Sequence, residues 1–410
     1  MFAAVRRRAH RDAGDAGGQV RSGVALAVAA ALLIVTALRV SGQAPIVTGD
    51  PLPGITPTEF QEFRRGLEDF REVEEASDGL GPLFNGTGCA VCHNVPAIGG
   101  SNPMTELRGG FRDASGKFHV VGGTTLFQMF SLPDHRCQAV IPAEANVVAR
   151  RAPIPLFGSG LVEAVPDETL LALEDPFDRD RDGISGRAAV IVDQATGQRR
   201  IGRFGWKAQI ATLLTFSGDA YTNEMGITND VFPEEPRGGI SEARLRECDR
   251  LKDPEDAVDP RTGKRSIDNF EAFMKFLAAP PRGPITDEVR VGEQVFAAVG
   301  CTACHVPALS TGANASAALH RKNVPLFSDL LLHELGTGDG IEQGAAEPDE
   351  IRTPALWGLR MRRPLLHDGS AATPSDAVLR HAGEASGVIE NYRRLSDDMR
   401  RALLAFLDSL

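Results

Sequence analysis

Large aromatic side chains are scarce. Only 6% of the 410 residues are aromatic, with two Trp and two Tyr among them. Such rings dominate the filling of most cores, so side chains alone leave little to pack a large interior. Positive charge is also in short supply: the formal net charge is −11. Residues 1–43 hold Arg6, Arg7, Arg8, Arg11, Arg21 and Arg39 against Asp12 and Asp15, which leaves −15 on the remainder. That balance argues against nucleic acid, whose binding needs a basic surface. No strand-rich stretch stands out, so the fold class reads as mainly α. Long apolar runs are missing as well. The best, Val24 to Ala37, is shorter than the roughly 20 residues of a membrane span.

Glycine and proline are abundant, at 43 and 26, which suits helices strung between long ordered loops. The Arg-rich start, the run Val24–Ala37 and the small residues Ser41-Gly42-Gln43-Ala44 have the layout of an export signal. Residues 1–44 are therefore expected to be a signal peptide, or an anchor in the inner membrane if uncleaved, and the mature protein is expected in the periplasm.

Cysteine is rare, and four of the six lie in two pentapeptides, Cys89-Ala90-Val91-Cys92-His93 and Cys301-Thr302-Ala303-Cys304-His305. C-x-x-C-H is the attachment signature of a c-type haem. Both thiols add to the porphyrin, and the following His becomes the proximal iron ligand. A thioredoxin-like pair or half a zinc site does not require that His in both copies. The cofactors expected are two covalently bound haems, with His93 and His305 on the iron. Such groups would also supply apolar filling that the side chains do not.

The flanks repeat too. Phe84 and Phe296 each precede the first Cys by five residues, and Val-Pro-Ala follows both histidines. Two fused cytochrome-c-like haem domains with long ordered loops are the simplest account. The N-terminal one is placed at 45–280 with large insertions and the C-terminal one at 285–410, joined through the Pro/Gly-rich linker 278–284. Helices are expected from Pro57 with Thr56 as cap, over Val165–Leu173, Asp268–Leu277 and Val289–Val299, and at Ser396–Leu410 with Met399, Leu403, Leu404 and Leu407 on one face. The stretch 100–160 reads as loop, broken by Gly109-Gly110 and Gly122-Gly123. Cys137 and Cys248 remain, a disulfide if the compartment is oxidising and two free thiols otherwise.

Segments after residue 57 resemble one family in order. They include Gly81-Pro82-Leu83-Phe84-Asn85, Pro155 to Glu163, Asp178 to Arg187, Gly202 to Gln209, Ser328 to His333, Arg352-Thr353-Pro354, His367-Asp368-Gly369 and His381-Ala382-Gly383-Glu384. The chain resembles the bacterial dihaem oxidoreductases described as peroxidases or thiol oxidoreductases, which are similar to dihaem cytochrome c peroxidases and haem-dependent rubber oxygenases. The resemblance implies His381 as distal ligand of the second haem iron, where related peroxidases place Met. It implies Glu163 as an acid–base carboxylate near the first haem, and Trp206 as an electron relay between the haems. Arg352, with His333 and His367, is expected to bind propionates or to order the second haem's surroundings. Other readings stay open: a surface histidine for His381, a structural carboxylate for Glu163, core filler for Trp206. His119, His135, Met104 and Met129 lie in loops after the first motif, and none stands out as its distal ligand.

Asp178-Arg179-Asp180-Arg181-Asp182-Gly183 has the first half of an EF-hand calcium loop, but Ala189 stands where the bidentate acid belongs. Asp178, Asp180 and Asp182 are candidate calcium ligands or an acidic surface loop. The function expected is an exported dihaem c-type oxidoreductase, peroxidase-like, with substrate reduction at the N-terminal haem and electrons supplied through the C-terminal one. The alternatives are a non-catalytic periplasmic electron-transfer protein and a haem-dependent oxygenase acting on an organic substrate. The partners expected are peroxide or oxygen and an electron-donor protein such as a small cytochrome or cupredoxin.

Overall fold

A single helical device occurs twice. The computed structural model describes residues 46–133, 135–249 and 256–410; the expected signal peptide or anchor, 1–44, lies outside them. Helix Pro57–Phe70 begins at a capping box: Glu59 N–H donates to Thr56 Oγ1 at 3.2 Å, and Thr56 N–H donates to Glu59 Oε2 at 2.6 Å. Its buried positions are Phe63, Gly66 and Phe70, and it crosses helix Ser266–Phe276. Helix Asp287–Ala298, capped by Thr286, buries Val289, Gly292 and Phe296 among others and crosses the last helix, Asp397–Leu407.

The two crossings match in detail. A Cβ on Gly66 would lie 2.1 Å from Asn269 O and 2.9 Å from Phe273 Cβ. One on Gly292 would lie 1.9 Å from Ala402 O and 2.8 Å from Phe406 Cβ. Only glycine lets the helices approach this closely. Four residues on, Phe70 sits 6.4 Å from the His93 ring and Phe296 sits 6.1 Å from the His305 ring, at tilts of 59° and 55°. Phe70, not Phe84, is therefore the counterpart of Phe296. Phe84 stands in a short strand with Phe130, 6.0 Å from its ring. Phe296 precedes its motif by five residues and Phe70 by nineteen, so equal spacing from the cysteine pointed to the wrong phenylalanine.

The fold is less purely helical than expected. Among the described residues twelve short strands accompany ten α-helices. The largest sheet falls in the stretch expected to be loop: Glu106–Arg112 pairs antiparallel with Phe118–His119, Leu126–Phe127 and Val147–Arg151. Gly109 does not break the strand. Its missing Cβ admits Val147 O to 2.2 Å of where that atom would stand, a close approach of the kind that weakens a propensity argument inside a sheet.

The first core gathers Phe63, Phe70, Phe157, Leu213, Tyr221 and Phe273, and also takes in Leu319, Leu326 and Leu331 from beyond the linker. A second, smaller core holds Val295, Phe296, Phe327, Leu403, Phe406 and Leu407. On the last helix Met399 is exposed, and Phe406 takes the buried position instead. The shorter helix Asp167–Leu171 lies inside the span expected for it. Cys137 and Cys248 form a disulfide within a satellite cluster with Leu83 and Leu245. No helix among the described residues is long and apolar enough to cross a membrane.

Candidate functional site

Three histidines are held alike. His93 Nδ1–H donates to Gly100 O at 2.9 Å, His305 Nδ1–H to Phe327 O at 3.0 Å, and His381 Nδ1–H to Ala377 O at 2.7 Å. A carbonyl only accepts, so the proton is on Nδ1 and Nε2 is left with its lone pair, the tautomer an iron ligand needs. Burial lowers the pKa of all three, His305 to about 4, and keeps them neutral. The motif thiols of Cys89, Cys92 and Cys301 are pushed up to about 12 by burial, and Cys304 also rises.

Around the second motif the chain leaves a cavity. Cys301, Cys304, His305 and His381 line it, with Phe296 and Leu403 from the crossed helices and Trp206, Arg352, Arg362 and His367. Trp206 is buried, with its Nε1–H on Ala152 O at 2.8 Å, the Arg362 guanidinium over its ring at 5.1 Å and His367 edge-on at 6.1 Å. Arg352 is fixed by Gly205 O at 2.7 Å and Thr353 O at 3.0 Å. Burial lowers both arginines to about 10, and Arg362 depresses Arg352 further. Neither forms an ion pair among the described residues, and Arg362 Nε is buried without a hydrogen-bond partner. Buried Arg352, with no carboxylate in ion-pair range, and partly exposed Arg362, with its buried Nε unpartnered, together suit an anion in the cavity.

His333 does not face an arginine-bound anion. It bridges Asp329, at 2.8 Å from Nε2, and Glu384, at 2.9 Å from Nδ1, beside Cys304 Sγ at 3.7 Å, and these partners raise its pKa well above normal. Glu384 also accepts Glu334 N–H and Ser185 N–H, both at 2.9 Å. The end of the acidic loop is thereby latched to the surroundings of the second motif. Within that loop the Asp178, Asp180 and Asp182 carboxylates lie within 4.8 Å of one another.

Glu163 stands apart from this cavity, although its neighbour Val162 lines it. Its Oε1 accepts Leu213 N–H at 2.7 Å, at the N-terminus of helix Leu213–Met225. Burial raises its pKa against Leu213, Lys275, Arg203 and Arg200, which lower it. Arg203, fully buried, pairs with Asp167 and donates to Glu163 O at 3.2 Å, so it holds the segment in place. The far end of the same helix lies at the first motif. Glu224 O accepts Asn85 N–H at 2.7 Å, four residues before Cys89. Leu213 and Glu224 are separated along the helix axis by roughly 16 Å, at 1.5 Å per residue.

The four loop residues after the first motif are placed elsewhere. His119 pairs with Asp113 at 2.8 Å on an exposed turn, and buried His135 lies 3.0 Å from Asp249. Met104 and Met129 are about half exposed. Arg362, Arg203 and Glu384 escaped notice from the sequence. Glu384 and Arg203 lie in segments that carry the family resemblance, whereas nothing marked Arg362.

The fold and site define a class: a chain built on two C-x-x-C-H centres, each set against a crossed helix pair. Residues 138–410, two thirds of the chain, match the family described as "Di-haem oxidoreductase, putative peroxidase", and the chain belongs to that family. The match includes the second motif and begins after the first. Membership implies two haem groups. The residues fit them: His93 and His305 present Nε2, their cysteines are free, and Arg352 and Arg362 line the cavity beside the second motif.

Among solved structures, the diheme peroxidase BthA from Burkholderia thailandensis is 15% identical. The alignment covers 90% of this chain and 92% of that one, with a TM-score of 0.41. A MauG-like protein associated with microbial copper homeostasis is 16% identical, with coverages of 90% and 94% and a TM-score of 0.38. Hydrazine synthase from Kuenenia stuttgartiensis is 15% identical, with coverages of 90% and 98% and a TM-score of 0.40. No curated protein matches the chain.

Proposed function

We propose that the chain is an exported, periplasmic dihaem c-type oxidoreductase of peroxidase type. Cys89, Cys92 and His93 hold the first haem, and Cys301, Cys304, His305 and His381 hold the second. The observation that carries this reading is the shared histidine geometry, three partly buried imidazoles with Nδ1–H on a carbonyl and Nε2 free. When bound, the two haems supply a two-electron store and an iron open to peroxide or oxygen.

The chain's own residues divide the work. His381 faces the cavity of His305, which favours six ligands and electron relay at the second centre. The carboxylate neighbours of His119 and His135 and the exposure of Met104 and Met129 favour an open first centre. Trp206, held rigid by Ala152 and covered by Arg362, is the relay candidate, and Glu163 is the acid–base candidate. The acidic surface suits a basic donor such as a small cytochrome or cupredoxin. The Cys137–Cys248 disulfide accords with an oxidising compartment.

His381→Ala is expected to convert a low-spin EPR signal to high spin and to shift one haem's potential while the other stays in place. An unchanged spectrum removes His381 from the centre. Mixing with peroxide and a small reductant in stopped flow tests the reaction. Two low-spin haems that ignore peroxide favour the electron carrier, and turnover with oxygen alone favours the oxygenase.

Calcium is proposed for Asp178, Asp180 and Asp182. Chelation is then expected to lower the melting temperature by linkage, and Asp180→Ala to erase the difference. Equal melting with and without chelator leaves an acidic surface loop.

A further inference from the structure

Tyr221 and Glu74 form a buried pair beside the first motif. The phenol, 4% exposed, donates to Glu74 Oε1 at 2.9 Å, and Glu74 is 6% exposed. Glu74 has no ion pair among the described residues, so its carboxylate is held by the phenol rather than by a cation. Its backbone N–H donates to Thr87 O at 2.7 Å, two residues before Cys89. A Cβ on Gly88 would lie 2.3 Å from Glu72 O, so the same segment is packed against the residue that precedes the motif.

The Tyr221 ring leads inward to the histidine of that motif. It stands edge-on to Phe270 at 5.1 Å, Phe270 stands edge-on to Phe70 at 6.3 Å, and Phe70 lies 6.4 Å from the His93 ring. Tyr221, Phe270 and Phe70 share the first core, and Cys89 packs against it. A run of close-packed rings thus connects the phenol with His93. The other tyrosine, Tyr392, is also buried, but its neighbours are the Ser375 hydroxyl at 3.2 Å and the Arg400 guanidinium at 5.6 Å from its ring. Neither is a base near neutral pH.

A phenol that loses an electron becomes strongly acidic, and a charged product is costly in a poorly solvated interior. At Tyr221 the ionised Glu74 takes the proton across the existing hydrogen bond, and the pair passes from one negative charge to none. Burial raises Glu74 to about 7, which makes it a stronger base than an exposed carboxylate.

We propose that Tyr221, with Glu74 as its base, is a one-electron donor to the first centre, drawn on when peroxide arrives while the chain holds one electron in its haems instead of two. This rests on the proposed haem attachment at Cys89 and Cys92. Hydrogen peroxide takes two electrons, and two protons from solvent, and leaves as two waters. The haem store gives one electron. Tyr221 gives the other: its O–H bond breaks, the electron passes by way of Phe270 and Phe70, and the proton forms an O–H bond on Glu74 Oε1. An electron from the external donor later restores the phenol, and the proton returns from Glu74 to Oη.

The test uses the holoprotein, with peptide mass confirming haem on Cys89 and Cys92. It is reduced with dithionite by one electron per chain, mixed with one equivalent of hydrogen peroxide and rapidly frozen for EPR. The wild type is expected to show an organic radical whose signal narrows when the protein is grown on ring-deuterated tyrosine. Tyr221→Phe keeps the ring contacts and is expected to lower that signal about tenfold or more, whereas Tyr392→Phe leaves it in place. Glu74→Gln keeps an oxygen for the phenol but cannot take its proton, and is expected to lower the signal about tenfold or more, within the usual range for a lost acid–base group. Flash oxidation of the same proteins by a ruthenium polypyridyl complex, without peroxide, reads the pair directly: tyrosine oxidation slowed in deuterated water for the wild type, and that slowing lost in Glu74→Gln. Peroxide consumed without a tyrosyl signal, or a full signal in Tyr221→Phe, overturns the donor. A full signal in Glu74→Gln, with the solvent effect unchanged, overturns the base. A wild type without haem on Cys89 and Cys92, or one that leaves peroxide unconsumed, overturns the proposed function, and the donor with it.

Discussion

Replacing Cys301 and Cys304 together by Ser is expected to leave one covalent haem per chain and to abolish reduction through the second centre. The reason is the cavity around them. Its walls are apolar side chains from the crossed helices, and its polar part includes buried Arg352 and partly exposed Arg362, neither in an ion pair among the described residues. With the anion gone, Arg352 is left as an uncompensated buried charge, at a cost of about 3–5 kcal/mol. His305 and His381 also lose their ligand role with nothing to take it up. Melting should therefore fall far more than the exchange of two partly buried thiols for hydroxyls explains. Pyridine haemochrome on the denatured protein gives the count, and the wild type should give two. Two haems surviving in the variant would remove Cys301 and Cys304 from the attachment.

Glu163→Gln is expected to slow turnover with peroxide on the order of a hundredfold, the usual scale for a lost acid–base group. The substitution keeps the oxygen that accepts Leu213 N–H, so the helix remains capped while the proton is lost. A purely structural Glu163 predicts the opposite pattern: turnover intact, with a stability change of about 1 kcal/mol or less from the altered charge at a helix N-terminus. The pH dependence separates the two further. Burial raises the Glu163 pKa in the folded chain, so between the ordinary value near 4.3 and the folded one the native state holds the proton that the unfolded state has released. Stability then falls as pH rises through that window, and Gln removes the slope. Melting curves of both proteins from acid to neutral pH show whether it is there. Wild-type turnover in the Gln variant eliminates Glu163 as proton carrier.

Local signals carried far in this chain. Thr56 starts its helix where expected, the helix expected from Val289 begins two residues earlier under its Thr286 cap, and the leftover cysteines pair. What stayed hidden depends on contact between distant positions. Phe84 keeps the motif spacing of Phe296, but Phe70 does its packing, because inserted residues moved the first helix away from its motif. Gly109-Gly110 read as a break until the neighbouring strand's carbonyl explained the missing side chain. Arg362 likewise gains meaning only from Trp206 beneath it.

The disulfide has a consequence for how the chain matures. Six thiols leave the ribosome alike, yet under the proposed function four react with porphyrin and two with each other. Cys137 and Cys248, 111 positions apart, enclose Glu163, the acidic loop, Trp206 and the helix that reaches the first motif. The four motif cysteines all lie outside that ring. Oxidation of the right pair closes the ring without trapping a haem-binding sulfur inside it, whereas a crossed pair ties a motif thiol into the wrong loop. The order of the cysteines along the chain thus acts as a sorting rule, separating the oxidant's work from that of the haem-attaching machinery.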